Sequence, residues 1–183
     1  MINEIIETRR SVRKFKSKKP DWRTILECLD STRFTPMAGN QFTPRFILID
    51  DKKKIKKIAE ASEQEFIESV HYIVIVCSDK RLTTNAYEER GEKYIKQQAG
   101  AAIQTFLLKL NEAGLSTCWI GHFYDEKIKH LIKIPGEVDI EAILPIGYAW
   151  EKPKKKRKTD LNAVLYFNEY KNKRMKPAKK MNV

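Results

Sequence analysis

A run of six apolar residues, YIVIVC at positions 72–77, most constrains what this chain can fold into. Four of the six are β-branched, and polar residues bound the run on both sides. A short run of this kind is typical of a strand buried in a sheet, since a strand with one face in water alternates apolar and polar residues. It is also far shorter than the roughly 20 apolar residues that cross a bilayer. The run therefore predicts a buried strand of a folded core and not a membrane span.

Segments of helical and of strand periodicity alternate along the rest of the chain. The longest helical pattern covers residues 92–113 and stops at Gly114, a residue type that often follows a helix end. The polar segment 79–91 predicts a mobile loop or a broken helix. Other helices are predicted at residues 2–10, 22–29, 52–61 and 125–134, and other strands at residues 45–50, 116–121 and 140–150. This alternation predicts an α/β or α+β layer fold around a central sheet.

The net charge of +12 is concentrated at one end of the chain. Residues 151–183 contain 12 Lys or Arg and 3 Asp or Glu, a net +9 that leaves +3 for residues 1–150. A cationic tail attracts the phosphates of nucleic acids. However, no aromatic-rich strand of the kind that stacks bases accompanies it. Specific binding of nucleic acid is therefore not expected.

Length, cysteine usage and the N-terminus indicate the general class of protein. A chain of 183 residues with 42% hydrophobic residues can form one domain with an ordinary core. The three cysteines are far apart in apolar stretches, which predicts buried thiols and neither disulfides nor a metal site. No cationic segment leads into an apolar one at the N-terminus, so we expect a cytoplasmic location and no secretory signal.

Two short motifs suggest binding of an anion and of a flat ligand. RRSVRKF, residues 9–15, offers guanidinium groups and a hydroxyl of the kind that bind phosphate oxygens. PMAGN, residues 36–40, combines small residues that allow close approach of the backbone with an amide that offers a donor and an acceptor. Each motif alone is also consistent with an ordinary surface turn.

Taken in order, four motifs resemble the FMN-dependent nitroreductase family. They are RRSVRKF, the PMAGN loop, the helix GAAIQTFLLKLNEAGL that leads to WIG, and PIGY before a basic tail. The GxGxxG fingerprint of a dinucleotide-binding domain is absent. The resemblance implies an α+β layered fold with a central, mainly antiparallel sheet flanked by helices. It also implies an FMN-binding domain over residues 1–150 and, as part of the same domain, a domain-swapped basic extension over residues 151–183 that docks on a partner subunit.

The resemblance assigns several cations to the cofactor. The residues implied to hold the FMN phosphate and ribityl chain are Arg9, Arg10 and Ser11. Arg13 matches a cation beside the flavin ring, where positive charge favours the reduced anion. The tail cations implied to close over the phosphate are Lys155 and Arg157.

Uncharged residues are implied to lie along the flavin ring. The loop implied to reach it from the partner subunit includes Pro36, Met37, Ala38 and Asn40. The backbone of Ile120 and Gly121 is implied to lie against the flavin N5 edge. No side chain is expected to be a catalytic acid or base, because hydride transfer depends on geometry and electrostatics around the cofactor.

The implied activity is oxidoreduction by a homodimer. NADH or NADPH would reduce FMN and leave, and a small acceptor such as a nitroaromatic, a quinone or another flavin would then take the electrons in a ping-pong mechanism. The alternatives are a specialised redox task on the same scaffold, such as dehalogenation or dehydrogenation, and a basic nucleic-acid-binding or scaffold protein without catalysis. Phe42 and Gln98 depart from the family pattern, which affects the expected substrate more than flavin binding. His122 either faces the substrate or lies in a surface loop.

Overall fold

The computed structural model describes residues 2–79, 81–151 and 157–175. The chain forms two compact units, Met1–Pro153 and Lys154–Val183. The helices of the first unit are α1 (Ile2–Thr8), α2 (Trp22–Asp30), α3 (Lys52–Ser62), α4 (Arg81–Tyr87), α5 (Glu89–Glu112) and α6 (Asp125–Ile132). Its strands are β1 (Pro44–Ile49), β2 (Tyr72–Asp79), β3 (Ser116–Thr117) and β4 (Val138–Gly147).

The four strands form one antiparallel sheet in the order β1-β2-β4-β3. β2 pairs with β1 on one side and with β4 on the other, so that Ile75 lies opposite both Ile47 and Ile143. The apolar run of β2 is buried throughout. The predicted buried strand and the α+β fold with an antiparallel sheet are therefore confirmed.

Alternate residues of β2 face two separate hydrophobic layers, as the two-residue period of a strand requires. Ile73 and Ile75 pack in a layer that includes buried residues of α3 and α6. Val74 and Val76 pack in a second layer that includes buried residues of α2 and α5. Helices thus cover both faces of the sheet, which explains why its central strand has no polar alternation.

The three cysteines are free thiols and are buried, as predicted. Burial raises the pKa of Cys28 to about 11 and the pKa of Cys77 to about 12. Because the thiolate is the reactive form, these two side chains act as small apolar core residues at neutral pH.

Aspartates fix the first turns of α2 and α3. The carboxylate of Asp21 accepts from the Arg23 amide at 2.9 Å. Asp51 accepts from the amides of Lys53 and Lys54 at 2.8 and 3.1 Å. The hydrogen bond from the Lys54 amide is the main cause of the lowered pKa of Asp51. Both helices therefore begin directly after a capping carboxylate.

The polar segment before the long helix is itself helical. α4 ends at Tyr87, α5 begins at Glu89, and the break lies at Glu88, whose φ is 50°. The two helices cross closely at Gly91, where a Cβ atom would lie 2.9 Å from the Thr83 carbonyl oxygen. Of the two predicted alternatives, the broken helix is therefore what the structure has.

The second unit contains a short helix, α7 (Leu161–Val164), whose first turn is capped by Asp160. The Lys173 ammonium donates to three carbonyl oxygens around this helix, at 2.5 to 3.2 Å, and lies 4.0 Å from the centre of the Tyr166 ring. This part of the tail therefore has local structure of its own.

Candidate functional site

The basic segment, residues 9–13, is held against the end of the sheet. Ser11 forms a parallel bridge with Thr117, and the Val12 amide donates to the Thr117 carbonyl at 3.0 Å. Val12 and Phe15 are buried in the core, each 7% exposed. Gly147 makes room for Phe15, because a Cβ at residue 147 would lie 2.9 Å from the Phe15 ring. The buried side chains of Val12 and Phe15 thus anchor the backbone of the segment, and the side chains of Arg9, Ser11 and Arg13 are not part of the core.

Three polar side chains of the basic segment affect the pKa of the buried Cys118 thiol. Burial raises the pKa of Cys118, while the charges of Arg13 and Arg9 and a hydrogen bond with Ser11 lower it. Ser11 and Arg13 are exposed and Arg9 is half-buried. Neither arginine forms an ion pair with any acidic group in the described part of the chain. Two guanidinium groups and a hydroxyl are therefore close together and available to an anion.

Arg10 has a different environment from its neighbours. Its Nη1 atom donates to the carbonyl oxygens of Glu7 and Arg9, the second at 2.7 Å. Its Nε atom and the hydroxyl of Thr117 are buried, and neither has a hydrogen-bond partner among the described residues. Arg10 thus ties the end of α1 to the basic segment, and its contact with a phosphate stays a prediction.

Residues 120 and 121 follow β3, the strand that pairs with the basic segment through Ser11 and Thr117. Ile120 is buried and exchanges two hydrogen bonds with Ile143, at 3.1 and 3.0 Å. Gly121 is exposed, and a Cβ atom there would meet nothing within 4 Å. The structure therefore brings Arg9, Ser11 and Arg13 beside the strand that leads to an open backbone position at Gly121.

The 36–40 loop lies against α5, where residues 38–40 form one helical turn. The Ala38 amide donates to Gln98 Oε1 at 2.6 Å. Gly39 and Asn40 have φ values of 57° and 55°, in the left-handed region. A cleft of about 320 Å³ opens between the loop and α5, and its lining includes Pro36, Met37 and Tyr94.

The 36–40 loop and α1, which leads into the basic segment, contact α5 at different points. α1 is tied to α5 by Asn111, whose amide donates to the Ile5 carbonyl and the Thr8 hydroxyl, both at 2.9 Å. Gln98 lies thirteen residues before Asn111, which is about 20 Å along a helix with a rise of 1.5 Å per residue. Within one chain, the points at which the loop and α1 contact α5 are therefore well separated.

The contacts of the two tail cations with a phosphate stay predictions. Arg157 is exposed and belongs to the second unit, and Lys155 lies outside the described residues. Within the described ranges, no cluster of His, Cys, Asp and Glu is arranged to hold a metal ion. No helix in those ranges has the length and apolar character needed to cross a membrane.

Comparison with known proteins agrees with the antiparallel sheet and the order of the motifs. The sequence matches the nitroreductase family over residues 6–71 and 62–148, which together cover most of the chain. The chain belongs to the nitroreductase family.

Relatives of this nitroreductase-family chain include proteins with different named activities. Iodotyrosine deiodinase of Thermotoga neapolitana is 27% identical over 172 residues, which cover 85% of this chain and 92% of that protein. An FMN-dependent nitroreductase of Clostridium difficile superposes with a TM-score of 0.78 at 23% identity, over 91% of this chain and 98% of that one. The NADPH:FMN oxidoreductase of Vibrio harveyi, complexed with NAD⁺, superposes with a TM-score of 0.84 at 18% identity, over 93% and 78% of the two chains. The two structural matches establish the shared fold.

Two polar contacts of this nitroreductase-family chain were not indicated by its sequence. Gln98 holds the 36–40 loop, as described above. The Nε2 atom of His122 lies 3.4 Å from Oε2 of Glu63, and the other carboxylate oxygen, Oε1, accepts from the Tyr124 hydroxyl at 3.3 Å. Each contact joins residues about 60 positions apart, so local spacing carries no signal of it. His122 and Tyr124 are surface residues beside Gly121, and Glu63 orients both.

Proposed function

We propose that this chain is an FMN-dependent oxidoreductase that passes electrons from NADH or NADPH to a small acceptor. The observation that carries the proposal is the group formed by Arg9, Ser11 and Arg13, in which neither guanidinium is paired with a carboxylate of the described residues. Structural neighbours named as an FMN-dependent nitroreductase and an NADPH:FMN oxidoreductase support the choice of cofactor and donor.

The donor chemistry of the basic segment fits a phosphate monoester. Such a group carries close to two negative charges and several strong acceptor oxygens. Arg9 and Ser11 offer charge-assisted and neutral donors to it. The buried Nε of Arg10 and the Thr117 hydroxyl, both unpartnered, lie on the same short stretch and its bridged strand. The open space at Gly121 leaves room for a flat group beside the backbone.

Each residue of the site then has a distinct task. Bound FMN would supply the redox chemistry that no side chain provides. Arg9 and Ser11 would bind the phosphate, and Arg13 would place a positive charge where it favours the reduced cofactor. Gly121 would leave the backbone open so that donor and acceptor approach one face in turn. A single face used in turn is the structural basis of a ping-pong mechanism.

A homodimer with shared sites is part of the proposal. Since the contacts of the 36–40 loop and of α1 on α5 lie about 20 Å apart, we infer that the loop completes the site of another chain. Large apolar side chains at the surface of the first unit support such an association. Ile2, Ile6 and Phe34 are 66%, 52% and 81% exposed.

The purified protein provides the test. We expect the visible absorbance of an oxidised flavin, bleaching by NADH or NADPH, and parallel double-reciprocal plots when donor and a quinone or nitroaromatic acceptor are varied. Each nicotinamide assayed separately establishes the preferred donor. A colourless protein that takes up no added FMN would contradict the proposal.

Reductive dehalogenation is a second candidate, supported by the relative named as an iodotyrosine deiodinase. In that reaction two electrons and one proton replace the halide on the aromatic ring with hydrogen. We would incubate the FMN-loaded protein with a reductant and a halotyrosine and measure halide with an ion-selective electrode. Release at the rate of acceptor reduction would favour this activity, and no release with active quinone reduction would exclude it.

A further inference from the structure

We infer that Gln98 is a positioning residue that fixes the 36–40 loop in the conformation that completes the cofactor site of the partner subunit. The inference rests on the proposed function, because it concerns how the loop meets FMN. It adds a residue on the long helix that the family pattern did not assign to the cofactor.

Both ends of the Gln98 amide are used, on two sides of the loop. Oε1 accepts from the Ala38 amide at 2.6 Å, and Nε2 donates to the Thr43 hydroxyl at 2.8 Å. Gln98 is 4% exposed and Thr43 is 1% exposed. One buried side chain therefore bridges the middle of the loop and Thr43, the residue directly before β1, where loss of a partner is costly because water cannot replace it.

The Ala38 amide in the loop has its hydrogen-bond partner outside the loop. Residue 37 precedes the helical turn and gives it no side-chain cap, so the amide of Ala38 has its partner in Gln98. Gly39 and Asn40 both have positive φ, a region that the asparagine adopts only at some cost. A backbone of this kind persists only where its surroundings hold it.

A second set of contacts, from α4, holds the other face of the loop. The Tyr87 hydroxyl lies so close to Gly39 that a Cβ there would be 2.8 Å from it. The Thr83 hydroxyl lies 3.5 Å from the Gln41 side-chain oxygen. Gln98 and α4 thus hold the loop from two sides, and Gln98 also links the loop to Thr43 before β1.

A neutral amide suits this place better than a carboxylate. Both a donor and an acceptor are needed, and an ionised carboxylate has only acceptors. A carboxylate would also bury a charge among uncharged groups, which is costly without a cationic partner. The Gln at position 98, which departs from the family pattern, is therefore explained by the loop that it holds.

The test compares Gln98→Met with Gln104→Met, the same change at an exposed position of the same helix. In the apoprotein, hydrogen–deuterium exchange should show the Ala38 amide losing protection in Gln98→Met only. In FMN titrations, the dissociation constant should rise about tenfold, as expected when the loop loses its buried hydrogen bond at the Ala38 amide. Gln98→Glu keeps an oxygen for the Ala38 amide but loses the donor to Thr43 and buries a charge, so it should raise the dissociation constant at least as much as Gln98→Met.

A merely structural role predicts a different pattern. In that case Gln98→Met would lower the melting temperatures of the apoprotein and the FMN-loaded protein equally, and the FMN dissociation constant would not change. That result, with a wild-type protein that binds FMN, would overturn the inference and leave the proposed function intact. If the wild type bound no FMN, the proposed function itself would fail, and the exchange of the Ala38 amide would still report whether Gln98 holds the loop.

Discussion

Arg9 and Arg13 differ from Arg10 in what their guanidinium groups contact. Arg10 donates to two carbonyl oxygens at the end of α1, so part of its hydrogen-bonding capacity serves the fold. Arg9 and Arg13 have no ion-pair partner among the described residues, and with Ser11 they act on the buried Cys118. Three arginines that look alike in the motif are therefore unequal as candidates for binding an anion.

Replacing Arg9 with Ala should weaken FMN binding about tenfold, because the phosphate loses one charge-assisted contact at a partly exposed position. Fluorescence titration of the apoprotein with FMN measures this change. Lys56→Ala removes a cation from the exposed side of α3 and is the control for the loss of one positive charge. Equal affinities of the Arg9→Ala, Lys56→Ala and wild-type proteins would contradict the placement of the phosphate.

Asp79 should make part of the stability depend on pH. Its carboxylate accepts from Arg81 at 2.9 and 2.7 Å, and this contact is the main reason that its pKa falls from 3.8 to about 2. Because the folded pKa lies below the unfolded one, the ionised carboxylate stabilises the fold above about pH 4. That contribution is lost as pH falls from about 4 to about 2.

Urea unfolding of wild type and Asp79→Asn between pH 2 and pH 7 checks this prediction. We expect the variant to be less stable by about 1 kcal/mol at pH 7, since the partner arginine is largely exposed and solvent weakens the pair. The difference should shrink toward zero near pH 2. A difference that is the same at every pH would show that the charge of Asp79 is not its cause.

At the scale of elements, the parts that were predictable are those whose pattern is local. β2 and α5 follow from an apolar run and a sustained helical period, and both are where the sequence places them. β3 has two residues and depends on its pairing with β4. α4 is polar and seven residues long, and its packing on α5 at Gly91 is a tertiary contact. Periodicity cannot reveal elements that tertiary contacts define.

The candidate site also has a part that the sequence indicates and a part that only the fold creates. Arg9, Ser11 and Arg13 lie within five residues, so their motif could be recognised, and the structure places them together. The contact of Gln98 with Ala38 joins positions 60 apart, and that of His122 with Glu63 joins positions 59 apart. Pairs of this kind are created by the fold, and no spacing in the sequence encodes them.

The crossing of α4 and α5 leads to a prediction with a matched control. Gly91→Ala should destabilise the protein by about 1–3 kcal/mol, since its Cβ would lie 2.9 Å from backbone atoms of α4. Gly100→Ala lies on the same helix with nothing within 4 Å of the added Cβ. It should be neutral or stabilising by up to about 1 kcal/mol, because alanine favours a helix.

Thermal unfolding gives the two free-energy changes, and hydrogen–deuterium exchange shows where they act. We expect faster exchange in α4 for Gly91→Ala and unchanged exchange there for Gly100→Ala. Equal effects of the two substitutions would mean that helix propensity, and not the close crossing, determines the response.

In the whole molecule, the cationic tail nearly coincides with the second compact unit. The tail, residues 151–183, carries +9 of the net charge of +12, and Lys154–Val183 forms a compact unit of its own. Leu161, Val164 and Tyr170 are 67%, 62% and 79% exposed there. A unit that is both cationic and apolar at its surface is suited to docking. Docking on a partner subunit stays a prediction.

Hybrid dimers test whether the proposed sites are shared between chains. One chain carries Arg9→Ala, which damages the basic segment, and the other carries Gly39→Val, which places a β-branched residue at a φ of 57° in the 36–40 loop. Every site of either homodimer then contains one damaged part. In a hybrid with shared sites, one site combines both damaged parts, and the other combines the intact basic segment of one chain with the intact loop of the other.

Co-expression with two different affinity tags allows the hybrid to be isolated by sequential purification. We expect it to bind about one FMN per dimer with wild-type affinity, where both parent homodimers bind weakly. If each site were built within one chain, every site of the hybrid would still contain one damaged part, and no tight binding would return. The recovered stoichiometry therefore distinguishes a site shared between chains from a site within one chain. We expect the shared site because Gln98 and Asn111 lie about 20 Å apart along α5.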